Sequence, residues 1–443
     1  VKGTPVIAID FGATSIRVCR IDLEARPVAV QVVHRHPHAP VRHSDGSLRW
    51  DWGRLLAEML RGLELALEEG PVASIGVDTW GVDYGLLDEH GELVAAPFCY
   101  RDERTRDWGE VVARIGGRRL YELAGVQLMP LNTIFQVAAH DAGERARARS
   151  LLMLPELIVH ELCGVQLAEA TSAGTTGLVD IHRGAWSEEL LDAVEADPAW
   201  FREIRPAGSV AGSWRGIPVH LVGGHDTASA VVAMAAHPSP NTAFVSAGTW
   251  FLVGRELASP DTGERAQAAN FSNERGTFGN IRFLKNLMGM WLLEECRRGW
   301  GHPPVEDLLD AAAAVRTPLP AIDVNHPELL APQDMAARLR GLAGLPADVE
   351  RGVIVRLILD SIAGGVARVV DELDSVDDIT IFGGASRSAL LCNTLAARSG
   401  RSVRTGPAEA TALGNALTQG VALGVFAGQA EARASLAPPC TTS

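Results

Sequence analysis

Apolar and polar positions alternate in blocks that switch between short continuous runs and a helical period. Residues 5–10 (PVIAID) form a continuous apolar run and predict a buried strand. FGATS reads as a turn, and IRVCRID as a second strand. Leu55, Leu56, Met59, Leu60, Leu63 and Leu67 recur at helical spacing and predict an amphipathic helix. SIGVDTWGVDYGLLD reads as strand, turn and strand, with EHGEL as a turn behind it. Toward the C-terminus, DITIFGG predicts a strand and SALLCNTLAARSG a helix closed by Gly400. RSVRTG predicts another strand, and PAEATALGNALTQGVALG a last helix with Pro407 in its first turn. The alternation of strands and helices predicts an α/β architecture.

Two stretches share one plan. VIAIDFGATSIRVCRID and AFVSAGTWFLVGREL each read as apolar strand, small-residue turn with Gly and Thr, and apolar strand, about half a chain apart. The echo suggests a duplicated domain with a phosphate-facing turn in each copy; two unrelated hairpins are the plainer alternative. The divide is expected near residues 238–241, a Pro/Ser/Asn segment, giving domains 1–237 and 238–443. The Ala/Arg-rich stretch 143–150 is expected to be a solvated helix.

Composition narrows the function classes. The chain has 443 residues, 47% hydrophobic and 21% charged, which suits two or three packed domains and argues against disorder. Its formal charge of −14 disfavours nucleic acid or an anionic membrane as partner. The same charge repels ATP, so a nucleotide site needs local amides, helix N-termini and a metal. The six cysteines have no CxxC spacing, which fits a reducing, cytoplasmic setting without a disulfide framework. The first apolar run is too short for a signal peptide, and no stretch approaches a membrane span.

Several motifs could carry chemistry. In IDFGATSIR a strand ends in Asp10 before Gly12 and two hydroxyl residues, so amides and hydroxyls can face a phosphate and Asp10 can hold Mg²⁺. The alternative is a turn in which Asp10 caps local amides. No Walker A loop and no GxGxxG signature occurs. In VGGHDTASAVVAM, glycines let a ligand approach the backbone, and Asp226 at a helix start could take a proton from a sugar hydroxyl. The alternative there is an ordinary N-cap. Gly248 and Thr249 of FVSAGTW can meet phosphate oxygens. Gly383 and Gly384 of IFGGASRSALL stand between strand and helix, where ligands of open α/β sheets sit; a tight turn requiring glycine explains them equally. Asp78, Trp80 and Asp83 interrupt what should be buried strand, as a sugar-binding surface would, or as the polar tips of an exposed hairpin. His34, His36, His38 and His43 lack a regular ligand spacing.

Taken together these stretches resemble the FGGY carbohydrate kinases, most closely the rhamnulokinase branch, over about residues 5–425. The resemblance rests on AIDFGATSIRV, SIGVDTWGVDYGLLDEHGELVAAPFCYRDERT, HDTASAV, SAGTW, FLKNLMGMWLLEEC and the glycine-rich segment from Gly383 to the end of ALTQ. It implies two actin-like (ribonuclease H-like) domains of duplicated topology flanking a central cleft. It implies Asp226 as general base, and sugar contacts from Trp80, Gly81, Asp83, His225, Asp226, Thr227 and Asn286. It implies ATP contacts from Ala13, Thr14, Ser15, Ile16, Arg17, Thr249, Gly383 and Gly384, with Asp10 toward Mg²⁺. Glu294 stands on the nucleotide side where relatives often carry Gln, and an ionised carboxylate cannot donate a hydrogen bond. Ile16, Phe251 and Ala385 replace a frequent Gly, Ser and Gly.

The implied reaction is phosphoryl transfer from MgATP to the 1-hydroxyl of L-rhamnulose in a cytoplasmic monomer or homodimer. Two alternatives stand beside it: an FGGY kinase for L-fuculose, xylulose or a related polyol, and a noncatalytic actin-like ATPase or sugar sensor.

Overall fold

The structure is a computed structural model and describes residues 3–234, 241–330, 332–436 and 440–441. Contacts divide the chain into two compact units, residues 1–236, 256–283 and 410–437 in the first and 237–255, 284–409 and 438–443 in the second. Of the expected divide at residues 238–241, positions 238–240 lie outside the described residues.

The first unit is built on a six-stranded sheet ordered Val210–Trp214, Ile217–His225, Ile75–Thr79, Pro5–Gly12, Ser15–Asp22 and Val30–Pro37. Pro5–Gly12 turns back antiparallel on Ser15–Asp22 through a two-residue loop and runs parallel to Ile75–Thr79. Ile217–His225 is parallel to the far side of Ile75–Thr79. Ile75–Thr79, enclosed on both faces, is buried at every position, as a central parallel strand must be.

Trp52–Glu68 is the expected amphipathic helix, capped by Asp51, whose side chain accepts from the Arg54 amide. It buries Leu55, Met59 and Leu63, but Leu60 faces solvent, because the glycine and alanine at Gly62 and Ala66 take the positions nearest the sheet. A Cβ on Gly62 would lie 2.5 Å from the Val18 side chain, so that helix needs glycine to approach its strand. On the other face, Ala410–Ala422 packs on the helix Asp226–Val232. Gly414 there would place a Cβ 1.7 Å from the Ser229 carbonyl oxygen.

In the second unit Thr242–Ala247 and Trp250–Leu257 form the second hairpin, and Thr242–Ala247 runs parallel to Asp378–Phe382, which runs parallel to Ser402–Thr405. Each unit therefore has the same order: two successive parallel strands, then the first and second arms of a hairpin. The echo in the sequence is a duplicated topology.

Three expectations change. Ile75–Thr79 and Tyr84–Leu87 are not arms of one hairpin; the first joins the large sheet and the second pairs with Ser150–Met153. The helix after Pro407 begins only at Ala410, so the proline precedes it. A further helix, Gln429–Ala434, follows it. The solvated helix is Ala142–Arg147, which buries no residue.

Candidate active site

Asp226 sits at the first position of Asp226–Val232, where the strand Ile217–His225 ends. Asp226 is not the N-cap residue: His225 holds that position and its side chain makes no cap bond, while the Asp226 carboxylate accepts from the adjacent Thr227 amide. The side chain keeps 26% of its surface, 3.5 Å from His225 Nε2, and Thr227 Oγ1 donates to its Oδ1 at 3.2 Å. Burial raises the Asp226 pKa, opposed by His225 and Thr227. A carboxylate that is reachable and more basic than usual is suited to receive a proton.

A second carboxylate holds the backbone ahead of Asp226. Glu169 Oε2 accepts from the Gly224 amide at 3.0 Å and from the Thr171 amide and hydroxyl at 2.9 and 2.6 Å. The Thr171 hydroxyl in turn accepts from the His225 amide at 3.1 Å. Behind Glu169, Glu156 accepts from the Glu169 amide and the Ser172 hydroxyl. Burial, with Glu169 nearby, pushes the Glu156 carboxyl up to about 8. Glu156 Oε2 and Glu169 Oε1 have no partner, and the two residues line a cavity of about 10 Å³ beside His220 and Gly224. A space of that size with two polar walls suits one water.

Gly81 approaches His225 closely: a Cβ there would lie 3.3 Å from His225 Nε2 and from Thr175 Oγ1. The next residue, Val82, has φ 71°, a strained value for a β-branched side chain. Thr133 and Gln136 hold it by donating to its carbonyl at 2.7 and 3.2 Å. The polar-tipped exposed hairpin is ruled out, since Asp78, Trp80 and Asp83 are all buried. Trp80 packs against Trp50 with ring centroids 4.5 Å apart and against His38 at 5.7 Å. Asp83 has no exposed surface. Its oxygens accept from Trp50 Nε1, Trp80 Nε1, the Tyr100 amide and Gln136 Nε2. Asp83 thus acts behind Trp80 and offers no face to a sugar, which corrects the expectation of a direct contact.

Asp10 and Asp78 stand opposite each other on adjacent strands. Arg17 pairs with Asp10 at 2.7 Å, and Asn415 Nδ2 donates to Asp78 at 2.6 Å. Burial and the neighbouring Asp10 hold the Asp78 pKa well above the carboxylate range. Asp10 spends its charge on Arg17 as well as any ligand, so it is not simply a local amide cap. Ala13, half-buried, and Thr14, exposed, form the loop of this hairpin, with Ser15 beside it; Ile16 is fully buried, leaving only its backbone to a ligand.

The remaining candidates lie in the second unit. Thr249 is half-buried in the hairpin turn, and its carbonyl accepts from the Gly289 and Trp291 amides at 3.2 Å. Gly383, at φ 91°, would place a Cβ 2.8 Å from the Ala247 carbonyl, whereas Gly384 has open space. Gly383 is thus required by the turn, and Gly384 leaves backbone free beside the hairpin. Glu294 lies on the helix Trp291–Gly299, ion-paired to Arg297 and 3.6 Å from His302. Asn286 lies on Ile281–Met288, its carbonyl accepting from Asn325 at 3.0 Å.

Sequence reading did not reach Glu156, Glu169, Thr171, Thr175, Glu274 or Arg282. Arg282 alone had a local signal, as a charge inside an apolar strand. Among the described residues no group of three or more His, Cys, Asp or Glu is placed to hold a metal, and no helix is long and apolar enough to cross a membrane.

Residues 5–233 match the N-terminal domain, and residues 243–423 the C-terminal domain, of the FGGY family of carbohydrate kinases. The chain is 36% identical to a rhamnulokinase of Klebsiella pneumoniae, over 92% of this chain and 88% of that one. Its fold is similar to that of gluconate kinase from Lactobacillus acidophilus, with TM-score 0.80 and 15% identity, covering 100% of this chain and 93% of the other. It is also similar to Plasmodium falciparum glycerol kinase with ADP, with TM-score 0.76 and 14% identity over 99% and 94% of the two chains. The two-domain actin-like α/β fold expected from the motifs is the fold of these structures. With family domains matched across both halves, this chain belongs to the FGGY family of carbohydrate kinases.

Proposed function

We propose that this kinase transfers the γ-phosphoryl group of ATP to the 1-hydroxyl of L-rhamnulose, with Asp226 as base. The observation that carries the reading is the Asp226 carboxylate itself: reachable, raised in basicity and flanked by His225 and Thr227. The likeness to a rhamnulokinase over nearly the whole chain favours L-rhamnulose as acceptor. Residues 1–237 would supply the sugar site, the first phosphate hairpin and the base; residues 238–443 would supply the adenosine site.

The hydroxyl oxygen forms a bond to the γ-phosphorus, the bond from that phosphorus to the β–γ bridging oxygen breaks, and ADP leaves. Asp226 accepts the hydroxyl proton. In such a loose transition state, positioning does most of the work. Gly81, His225 and Thr227 orient the sugar, with Trp80 behind them held by Asp83. Amides of the loop at Ala13 and Thr14, with Ser15, Ile16 and Arg17, meet phosphate oxygens. Thr249, Gly383 and Gly384 serve the nucleotide, and Asn286 the sugar. Glu294 is the weakest of these assignments in chemical terms, because Arg297 and His302 already occupy its oxygens.

A divalent ion fits one position. Mg²⁺ is commonly held by one or two carboxylates plus phosphate oxygens and water, and the nearly buried Asp10, ion-paired with Arg17 at 2.7 Å, is such a carboxylate. Mg²⁺ would neutralise phosphate charge there. Cys99, Cys163, Cys296 and Cys392 form no disulfide, which fits a cytoplasmic setting.

A panel of ketoses and polyols with coupled ADP detection tests the reading. L-Rhamnulose should give the highest kcat/KM. A higher value for L-fuculose or xylulose would reassign the acceptor, and ADP release independent of any sugar would overturn the kinase role.

A further inference from the structure

Arg282 enters the first unit from Ile281–Met288, between the buried apolar residues Ile281 and Phe283. Its side chain has no exposed surface. Nη2 lies 3.1 Å from His225 Nδ1 and 3.0 Å from Glu274 Oε2, and Nε donates to the Arg275 carbonyl at 3.3 Å. A guanidinium carries only donors and stays protonated in proteins. Nη2 donates to His225 Nδ1, while its contact with Glu274 Oε2 is an ion pair without a hydrogen bond. His225 Nδ1 must then present its lone pair, so the proton of the neutral ring belongs on Nε2.

Glu274 offers the competing arrangement, since its Oε2 is also 3.4 Å from His225 Nδ1. A proton on Nδ1 would point at the carboxylate but also sit against an Nη2 hydrogen that cannot leave. Glu274 is already charge-paired with Arg282 at 3.0 Å without that proton. Although burial opposes ionisation, the Arg282 charge leads in holding the Glu274 carboxyl down to about 2, and Ser272 Oγ donates to its other oxygen at 3.1 Å.

The consequence lies on the other side of the ring. Nε2 faces Asp226 Oδ1 at 3.5 Å and the bare backbone of Gly81. We propose that Arg282 is a positioning residue that fixes His225 as the Nε2–H tautomer, making His225 a hydrogen-bond donor to the acceptor hydroxyl and leaving Asp226 as the only base. This rests on the kinase reading above. The hydroxyl oxygen would accept from His225 Nε2–H while giving its own proton to Asp226. That pairing aims an oxygen lone pair and prevents His225 from taking the proton itself.

The test is ¹⁵N spectroscopy of the full chain labelled at histidine, near neutral pH, with His225→Gln to identify the resonances. The expected spectrum has a protonated Nε2 and an unprotonated Nδ1. Arg282→Met should release the ring to the Nδ1–H form facing Glu274 and lower kcat about 10²-fold, as loss of one oriented donor does, with the KM for ATP unchanged. Arg282→Lys keeps a donor and should retain Nε2–H and most of kcat. A wild-type proton on Nδ1, or an Arg282→Met enzyme with unchanged tautomer and kcat, overturns the assignment. If Arg282→Met fails to fold, the wild-type spectrum still decides. A panel in which no sugar is phosphorylated defeats the kinase reading, whereas a proton on Nδ1 defeats the Arg282 assignment whatever sugar is turned over.

Discussion

The indole nitrogen of Trp80 donates to the carboxylate of Asp83 at 3.0 Å, and the same oxygen takes the indole of Trp50 at 2.7 Å. One fully buried carboxylate thus fixes two packed rings, tilted 48° to each other, immediately behind Gly81. The polar groups around it are donors only, so Asp83 has no substitute among its neighbours.

Asp83→Ala should strand both indole nitrogens inside the core. Each buried orphan costs about 1–3 kcal/mol, so a loss of several kcal/mol in denaturant unfolding is expected. Asp83→Asn, which keeps acceptor oxygen on one side, should cost less. Equal stability of Asp83→Ala and wild type would show that the carboxylate does not anchor the rings.

Asp226→Asn should fold with wild-type stability and lose about 10²–10⁴ in kcat, the range for removing a general base. The wild-type enzyme needs Asp226 ionised, and burial raises its pKa. Activity should therefore be present above that pKa and fall as pH drops through it, with the acid limb of kcat/KM above the ordinary value of 3.8 for aspartate. Near-wild-type turnover of the Asn variant would remove Asp226 from the mechanism.

Gly81→Ala adds a methyl 3.3 Å from His225 Nε2 and Thr175 Oγ1. The backbone there is not left-handed, so the fold should tolerate it. The methyl would occupy space proposed for the sugar. KM for the sugar should rise several-fold, with KM for ATP and Tm little changed. An unaltered sugar KM would place the acceptor elsewhere.

Thr249→Val keeps shape and removes a hydroxyl in the second hairpin turn. The Thr249 carbonyl still holds the Gly289 and Trp291 amides, so folding should survive. ATP-linked steps should weaken more than sugar binding. Unchanged kcat together with unchanged KM for ATP would exclude the contact.

Glu156→Gln bears on stability and its pH dependence. The Glu156 pKa is about 8 in the fold against an ordinary 4.5. A raised folded pKa means that the stabilising proton is fully effective below about 4.5 and is lost as pH rises toward 8. Glutamine cannot ionise, so its contribution is flat. Relative to Glu156→Gln, the wild-type Tm should fall progressively between those two pH values. A constant difference across the range would mean that Glu156 is already ionised.

Much of the site's outline was readable along the chain. The two hairpin turns, the glycine pair at Gly383 and Gly384, the helix C-cap at Gly400 and the helix start at Asp226 all arise from neighbours a few residues apart. Backbone dihedrals, caps and hydrophobic period are local physics, and local patterns carry them. Asp83 misled because a carboxylate near a tryptophan has the same sequence appearance whether it faces a sugar or a buried indole; its burial separates the two.

Amino-acid order alone was enough for the α/β alternation, the repeated strand–turn–strand plan and the family motifs, since each is written in contiguous stretches. Packing chose what stands behind them. Glu169 reaches Gly224 across 55 positions, Arg282 reaches His225 across 57, and Asn415 reaches Asp78 across 337. Which buried carboxyl keeps its proton, and which ring nitrogen bears one, depends on burial and on partners that no short window contains.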